Sequence, residues 1–214
     1  MARRLHRVDI TWTPDLAYAI GVITTDGNLS PDMRHINITS KDYEMVETMR
    51  KILRLTNSIG KKARGGSLEK KYFVLQFGDK RFYEFLLSIG LTPRKSKTLG
   101  KIEIPDVFFP DFLRGCIDGD GSIGFFIHPE SKQRQIRVRL YSASPIFLAW
   151  MHASAKRLLK VSGGRVYVPK KKSVQSLYFS KADSRIILRK MYYTSTVPSL
   201  ARKRIVAEEL LKGE

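Results

Sequence analysis

The sequence predicts an α+β fold made twice over: two αββαββα halves, residues 1–105 and 106–214, related by an approximate two-fold axis. Three observations predict it. AIGVITTDGNL (19–29) and LRGCIDGDGSI (113–123) each combine an apolar run, a glycine and an Asp-Gly pair, with Gly21 and Gly115, and likewise Asp26 and Asp120, 94 residues apart. HINITSKDYEMVETM (35–49) parallels VRLYSASPIFLAWM (138–151), and Phe77 and Phe179 each lie 37 residues after their serine, Ser40 or Ser142. TPRKS (92–96) parallels SLARKR (199–204), so the offset grows from 94 to 102 to 108, as longer loops at 127–136 and 185–198 of the second copy would produce.

Each half begins with a helix. Leu16, Ile20 and Ile23 recur at helical spacing in the first copy, as do Leu113, Cys116 and Ile117 in the second. Gly21 and Gly115 occupy corresponding positions, and Gly115 and Gly119 are four apart. A glycine inside a helix costs about 1 kcal/mol relative to alanine. Close approach of a second helix offsets that cost, which makes Gly21 and Gly115 the expected contact between two paired helices. If the pair is parallel, Asp26 and Asp120 end the helices side by side, and Gly27 and Gly121 are expected to be left-handed caps.

Strands follow. In IRVRLYS, Ile136, Val138 and Leu140 alternate with Arg137, Arg139 and Tyr141, while Ile36 and Ile38 alternate with His35, Asn37 and Thr39. This is the period of an antiparallel sheet with one buried and one wet face. KKARGG (61–66) and GGRVYVPKKK (163–172) add basic strand or hairpin material. The wet face is rich in groups that bind phosphates and base edges.

Composition narrows the partner. There are 39 Lys and Arg against 20 Asp and Glu, a formal charge of +19, spread along the chain rather than held in a tail. Such a field favours polyanions: nucleic acid first, an anionic membrane second. No apolar run is long enough to span a bilayer and none follows MARR as a signal peptide requires, so a soluble intracellular protein is expected. One cysteine, Cys116, excludes an internal disulfide, and four scattered histidines leave little for zinc.

Two carboxylates at adjoining helix C-termini face the negative ends of both macrodipoles and repel without a cation between them. Asp26 and Asp120 therefore suit a divalent ion with oxygen ligands, Mg²⁺ in particular if phosphate is bridged. A hairpin turn is the other common use of Asp-Gly. A calcium loop starting in DGDGS is excluded, since its sixth and twelfth positions are Ile123 and Pro129. Asp118 has Thr24 as its counterpart and reads as structural.

AIGVITTDG (19–27) and LRGCIDGDG (113–121) resemble the nine-residue signature of the LAGLIDADG homing endonucleases, in the single-chain form with two copies. The second copy matches closely; the first diverges at its leading Ala-Ile and at Thr24-Thr25. The resemblance implies saddle-shaped sheets lying in the DNA major groove, with the motif helices at the central interface. It implies catalytic metal on Asp26 and Asp120, helped by the carbonyls of Thr25 and Gly119. It also implies a basic residue near each scissile phosphate, for which Lys95 and Lys203 fit best, with Lys97 and Arg202 as their competitors. The cofactor would be Mg²⁺, with Mn²⁺ as substitute and Ca²⁺ supporting binding without cleavage.

On this reading DNA contacts come from Asn28, Ser30, His35, Asn37, Thr39, Lys61, Lys62, Arg64, Tyr72 and Gln76 in the first half. In the second they come from Ser122, Arg137, Arg139, Tyr141, Arg165, Tyr167 and Tyr178. A monomer carrying both halves would cut each strand of a long, partly asymmetric duplex site. The rival is a cleavage-deficient relative acting as an RNA maturase or DNA-binding regulator. The absence of flanking protein-splicing sequence favours an intron-borne or free-standing gene.

Overall fold

The computed structural model describes residues 8–63, 68–127, 129–130, 132–170 and 173–212. Helix α1 (Pro14–Asp26) begins where the Thr13 hydroxyl accepts from the Leu16 N–H at 3.1 Å and Pro14 pre-sets the first turn. Every residue from Leu16 to Thr24 is buried, so this helix lies inside the protein rather than on it. Its main neighbour is α4 (Phe109–Asp120), which enters through a short 3₁₀ turn at Asp106–Phe108. Gly21 faces Gly115, while Thr25 and Asp26 face Gly119, so the two helices run parallel and end together.

The glycines are required for that approach. A Cβ on Gly21 would overlap the Phe112 carbonyl oxygen and lie 2.9 Å from the Cys116 nitrogen. One on Gly115 would overlap the Tyr18 carbonyl oxygen and lie 3.0 Å from both Gly21 Cα and the Val22 nitrogen. The obstacles are backbone atoms of the other helix, which cannot rotate away.

Each helix runs directly into a sheet. In the first, β1 (Gly27–Leu29), β2 (His35–Ser40), β3 (Ile59–Lys62) and β4 (Tyr72–Gly78) lie in the order β1-β2-β4-β3. In the second, β5 (Gly121–Ile127), β6 (Arg134–Ser142), β7 (Arg165–Tyr167) and β8 (Gln175–Tyr178) repeat that order as β5-β6-β8-β7. All pairings are antiparallel. Helices α2 (Tyr43–Ile52), α3 (Lys80–Ser88), α5 (Pro145–Leu159) and α6 (Lys181–Met191) complete the two αββαββα units. The predicted α+β architecture is therefore observed. As expected, Ile36 and Ile38, and Ile136, Val138 and Leu140, are buried, while the residues between them are half-exposed.

Three local expectations change. Gly27 (φ −91°, ψ 152°) and Gly121 (φ −119°, ψ 174°) are extended rather than left-handed, because the chain passes straight from helix into strand. Space, not backbone angle, selects glycine there: a Cβ would lie 2.5 Å from the Ile23 carbonyl oxygen in one and 2.6 Å from Ile117 Cα in the other. The expected loop at 185–198 is helical up to Met191, and the connection that remains leads into a further helix, α7 (Ala201–Lys212). The expected loop at 127–136 is narrower, since β5 reaches Ile127 and β6 starts at Arg134. No helix among the described residues is long and apolar enough to cross a membrane.

Replacing Gly115 with alanine should lower stability by about 3 kcal/mol, the upper range for overpacking. Gly124→Ala, whose new methyl would meet nothing within 4 Å, should stay within about 0.5 kcal/mol of wild type. Urea unfolding of the two variants tests this; equal losses would contradict the contact between the two helix backbones.

Candidate active site at the joined helix ends

A cleft of about 640 Å³ opens where α1 and α4 end, with Asp26, Asp120, Lys95, Thr39, Lys62 and Tyr141 among its lining. Asp26 and Asp120, the last residues of their helices, thus share one cavity, each delivered by its own half. Gly119 makes room for them. A Cβ there would overlap Thr25 Oγ1 and lie 2.8 Å from Thr25 Cβ and 3.3 Å from Asp26 Oδ2. The hydroxyls of Thr24 and Thr25 turn back to their own helix, Thr24 to the Ile20 carbonyl (2.7 Å) and Thr25 to the Val22 carbonyl (3.0 Å).

The lysines reach corresponding carbonyls from unlike structures, and of the two only Lys95 lines the cleft. Lys95 sits in the turn after α3 and is 7% exposed; Lys203 lies in the first turn of α7 and is 6% exposed. The Lys95 ammonium donates to the Gly27 carbonyl. That of Lys203 donates to the corresponding Gly121 carbonyl (2.8 Å) and to Ile117 (2.5 Å) and Asp118 (2.8 Å). Each lysine therefore sits on the carbonyl that follows its catalytic candidate, at the negative end of the helix. Lys97 is exposed, and Arg202 pairs with Asp42 at 2.9 Å.

Burial pushes Lys95 down to about 8, with Asp120 and Asp26 opposing the shift. Burial likewise pushes Lys203 down to about 8, opposed chiefly by Asp118.

Asp118 lies in the interior, not in the cleft. It accepts hydrogen bonds from the Tyr18 hydroxyl (3.0 Å) and the Leu200 N–H (2.8 Å), and burial raises it to about 6. Arg114, which sequence reasoning passed over, is fully buried beside it. It donates to Asp111 (2.7 Å) and to the carbonyls of Met191 (2.5 Å) and Pro198 (2.8 Å), tying α4 to the segment that delivers Lys203. The available signal was an acid three residues before an arginine, flanked by the apolar residues Phe112, Leu113, Cys116 and Ile117.

The outward sheet faces flank the cleft. Asn28, Asn37 and Gln76 form one cross-strand row, and Ser122, Arg139, Tyr178 and Arg165 form its counterpart. Thr39 and Tyr72 share the first outward face by alternation, as do Tyr141 and Tyr167 in the second. Of Lys61 and Lys62, only Lys62 stands on it, opposite Tyr72; Lys61 pairs with Phe73 on the core side, 5.2 Å from its ring. Ser30 is a support: its hydroxyl accepts from Asn37 (3.4 Å) and its carbonyl from the Tyr83 hydroxyl (2.6 Å). His35 is paired with Asp32 at 2.5 Å. Arg64 lies outside the described residues. Sequence reasoning also missed Phe125 and Phe126, whose rings carry the guanidinium groups of Arg134 (3.3 Å) and Arg137 (3.7 Å).

Which residues could hold a metal follows from the donors. Among the described residues no three His, Cys, Asp or Glu side chains cluster. The oxygen donors that could hold a metal at the cleft are the Asp26 and Asp120 carboxylates with neighbouring carbonyls, a hard set of the kind Mg²⁺ takes. The bare backbone of Gly119 lets Thr25 and the Asp26 carboxylate crowd against the end of α4.

The buried lysines make a prediction for stability. In the fold they release protons near pH 8, whereas the unfolded chain holds them to about 10.5. Between those values the unfolded chain binds more protons, so their buried charge is relieved and stability rises with pH. Wild type should gain stability relative to Lys95→Met between pH 8 and 10, on the order of 1 kcal/mol per pH unit. Urea unfolding with chelator across that range checks it; parallel curves would contradict it.

No protein-family model and no curated protein sequence matches the chain. Solved structures do. Full-length DUF199/WhiA from Thermatoga maritima is 14% identical over 92% of this chain, at TM-score 0.57, and this chain spans 61% of that one. Mesophilic variants of the homing endonuclease I-DmoI are 14% identical, covering 85% of this chain and 96% of theirs, at TM-score 0.57. The LAGLIDADG homing endonuclease I-LtrWI bound to target DNA is 12% identical, covering 92% and 88%, at TM-score 0.58. At these identities the likeness carries architecture, and the chain has the LAGLIDADG fold: two four-stranded antiparallel sheets about paired helices that end in Asp26 and Asp120.

Proposed function

We propose that this protein is a sequence-specific, divalent-metal-dependent DNA endonuclease that hydrolyses one phosphodiester on each strand of a duplex. The observation that carries the reading is the single cleft into which both halves deliver an aspartate, with a buried lysine on the carbonyl following each. A net charge of +19 and two outward sheet faces beside the cleft supply the affinity for a polyanion. The similarity to I-DmoI and I-LtrWI, the latter solved on target DNA, supports the same reading.

Asp26 and Asp120, with the carbonyls of Thr25 and Gly119, would hold Mg²⁺, for which Mn²⁺ could substitute and with which Ca²⁺ would permit binding alone. When bound, the metal lowers the pKa of a water and neutralises charge on the phosphate. The chain's own residues orient and balance that chemistry. Lys95 would place positive charge in the cleft where the oxyanion develops, and Lys203 would add its charge from behind the Gly121 carbonyl. Their bonds to the Gly27 and Gly121 carbonyls fix each ammonium relative to its aspartate. The α1–α4 contact fixes the aspartates relative to each other.

Residues 1–105 and 106–214 would each dock one sheet in the major groove, so that an intracellular monomer covers a long, partly asymmetric site. In the first half the contacts would come from Asn28, Ser30, His35, Asn37, Thr39, Lys62, Tyr72 and Gln76. In the second they would come from Ser122, Arg137, Arg139, Tyr141, Arg165, Tyr167 and Tyr178.

A second reading keeps the DNA interface without cleavage, as a regulator or an RNA maturase. It is favoured by the equal likeness to DUF199/WhiA, a protein whose designation names no nuclease. A randomised duplex library, offered in Mg²⁺ and in Ca²⁺, separates the two. Wild type should cut a single long site in Mg²⁺ and only bind it in Ca²⁺. Asp26→Asn and Asp120→Asn should each reduce cutting by about 100-fold or more while leaving Ca²⁺-supported binding. Enrichment by binding with no cutting in either ion would establish the second reading instead.

A further inference from the structure

The two outward faces are equivalent in register but not in chemistry. Counting two residues past each catalytic candidate gives Asn28 and Ser122. Across the first sheet Asn28 pairs with Asn37, and Asn37 with Gln76. Across the second Ser122 pairs with Arg139, and Arg139 with Tyr178, which pairs in turn with Arg165. One outward step beyond Thr39 and Tyr141, which line the cleft, the sheet is thus a line of carboxamides in one half and an arginine-bearing line in the other.

Both lines are held in place. The Asn37 amide donates one N–H to the Ser30 hydroxyl at 3.4 Å, a bond that uses one of its two N–H groups and not its oxygen. Arg139 is hydrogen-bonded to Tyr141, and its guanidinium lies 5.9 Å from the Phe126 ring. The next row repeats the contrast: His35, paired with Asp32, stands where the second half has Arg137, stacked 3.7 Å over Phe126. Stacking fixes the guanidinium plane and leaves its edge of N–H groups to face outward.

A carboxamide pairs bidentately with the N6 and N7 edge of adenine, and a guanidinium with the O6 and N7 edge of guanine. Resting on the DNA-binding reading above, we infer that the two half-sites differ in a stated way. At the base pair facing this second row, the half under β1–β4 carries adenine. The pseudo-symmetric position under β5–β8 carries guanine. Asn37 with Gln76 selects the first and Arg139 the second, so that the target is asymmetric at this step.

Selection of a randomised duplex library in Ca²⁺ tests this with the full-length chain as wild type, Asn37→Arg, Arg139→Asn and the double exchange. All substitutions are on a wet face, and thermal melting verifies that each remains folded. Wild type should yield one motif with unlike halves. Asn37→Arg should convert the adenine of one half to guanine, Arg139→Asn the guanine of the other to adenine, and the double exchange should interchange them. Each preference should change by about 5- to 100-fold, the range of one bidentate contact. A wild-type motif whose letters at these two positions survive both single exchanges would overturn the inference while leaving DNA recognition intact. Failure of wild type to enrich any motif would overturn the DNA-binding reading, and the inference with it.

Discussion

The contact of α1 with α4 at Gly21 and Gly115 is the constraint from which the rest follows. Two helices packed through ordinary side chains lie 8–10 Å apart. Here a glycine of each helix faces the backbone of the other, so that even a methyl group at either would overlap a carbonyl oxygen. The contact is parallel, so it places two negative helix ends and two carboxylates together, an arrangement that electrostatics disfavours unless cations join it. The protein supplies two itself, as Lys95 and Lys203.

Those lysines are buried at a cost, visible in their lowered proton affinity, and three features hold them there. Helix-end carbonyls accept their N–H groups, nearby aspartates oppose the desolvation, and the chain that carries each is anchored. In the second half the anchor is a buried polar cluster: Asp118 holds the Leu200 N–H at the start of α7, while Arg114 holds the carbonyls of Met191 and Pro198. In the first half Lys95 lies in the turn at 93–98, beyond the end of α3 at Ser88, where its carbonyl accepts from the Thr98 and Leu99 N–H groups. The repetition is therefore faithful at the functional atoms and loose in the scaffold that brings them.

That distinction decides what a sequence reader can see. The paired helices were legible because the 94-residue offset holds from Gly21 and Gly115 to Asp26 and Asp120, with no loop to change it. The sheet faces were legible at Ile36 and Ile38 and at Ile136, Val138 and Leu140, where alternation is strict. Lys95 could not be told from Lys97, because in an irregular turn no period says which side chain points inward. Lys61 and Lys62 differ only by strand parity, which became visible once Lys61 was found opposite Phe73. The extended backbone at Gly27 and Gly121 was missed since Asp-Gly suits a left-handed cap, a hairpin turn and a tight helix-to-strand passage alike. Arg114 was passed over because a charged residue in a core declares itself only through its partners, and most of these are backbone carbonyls far along the chain.

The central claim is that helix proximity makes the two aspartates one cation site. The most direct test keeps both carboxylates and disturbs the packing that sets their spacing: Mn²⁺ affinity of wild type and Gly119→Ala, read by electron paramagnetic resonance on folded, DNA-bound protein. A methyl at Gly119 would collide with Thr25 and press on Asp26. A shared site predicts a loss of Mn²⁺ affinity of at least about 10-fold, the scale seen when groups that orient metal ligands are disturbed. Wild-type affinity in Gly119→Ala would contradict it, and would mean that Asp26 and Asp120 hold their ions independently.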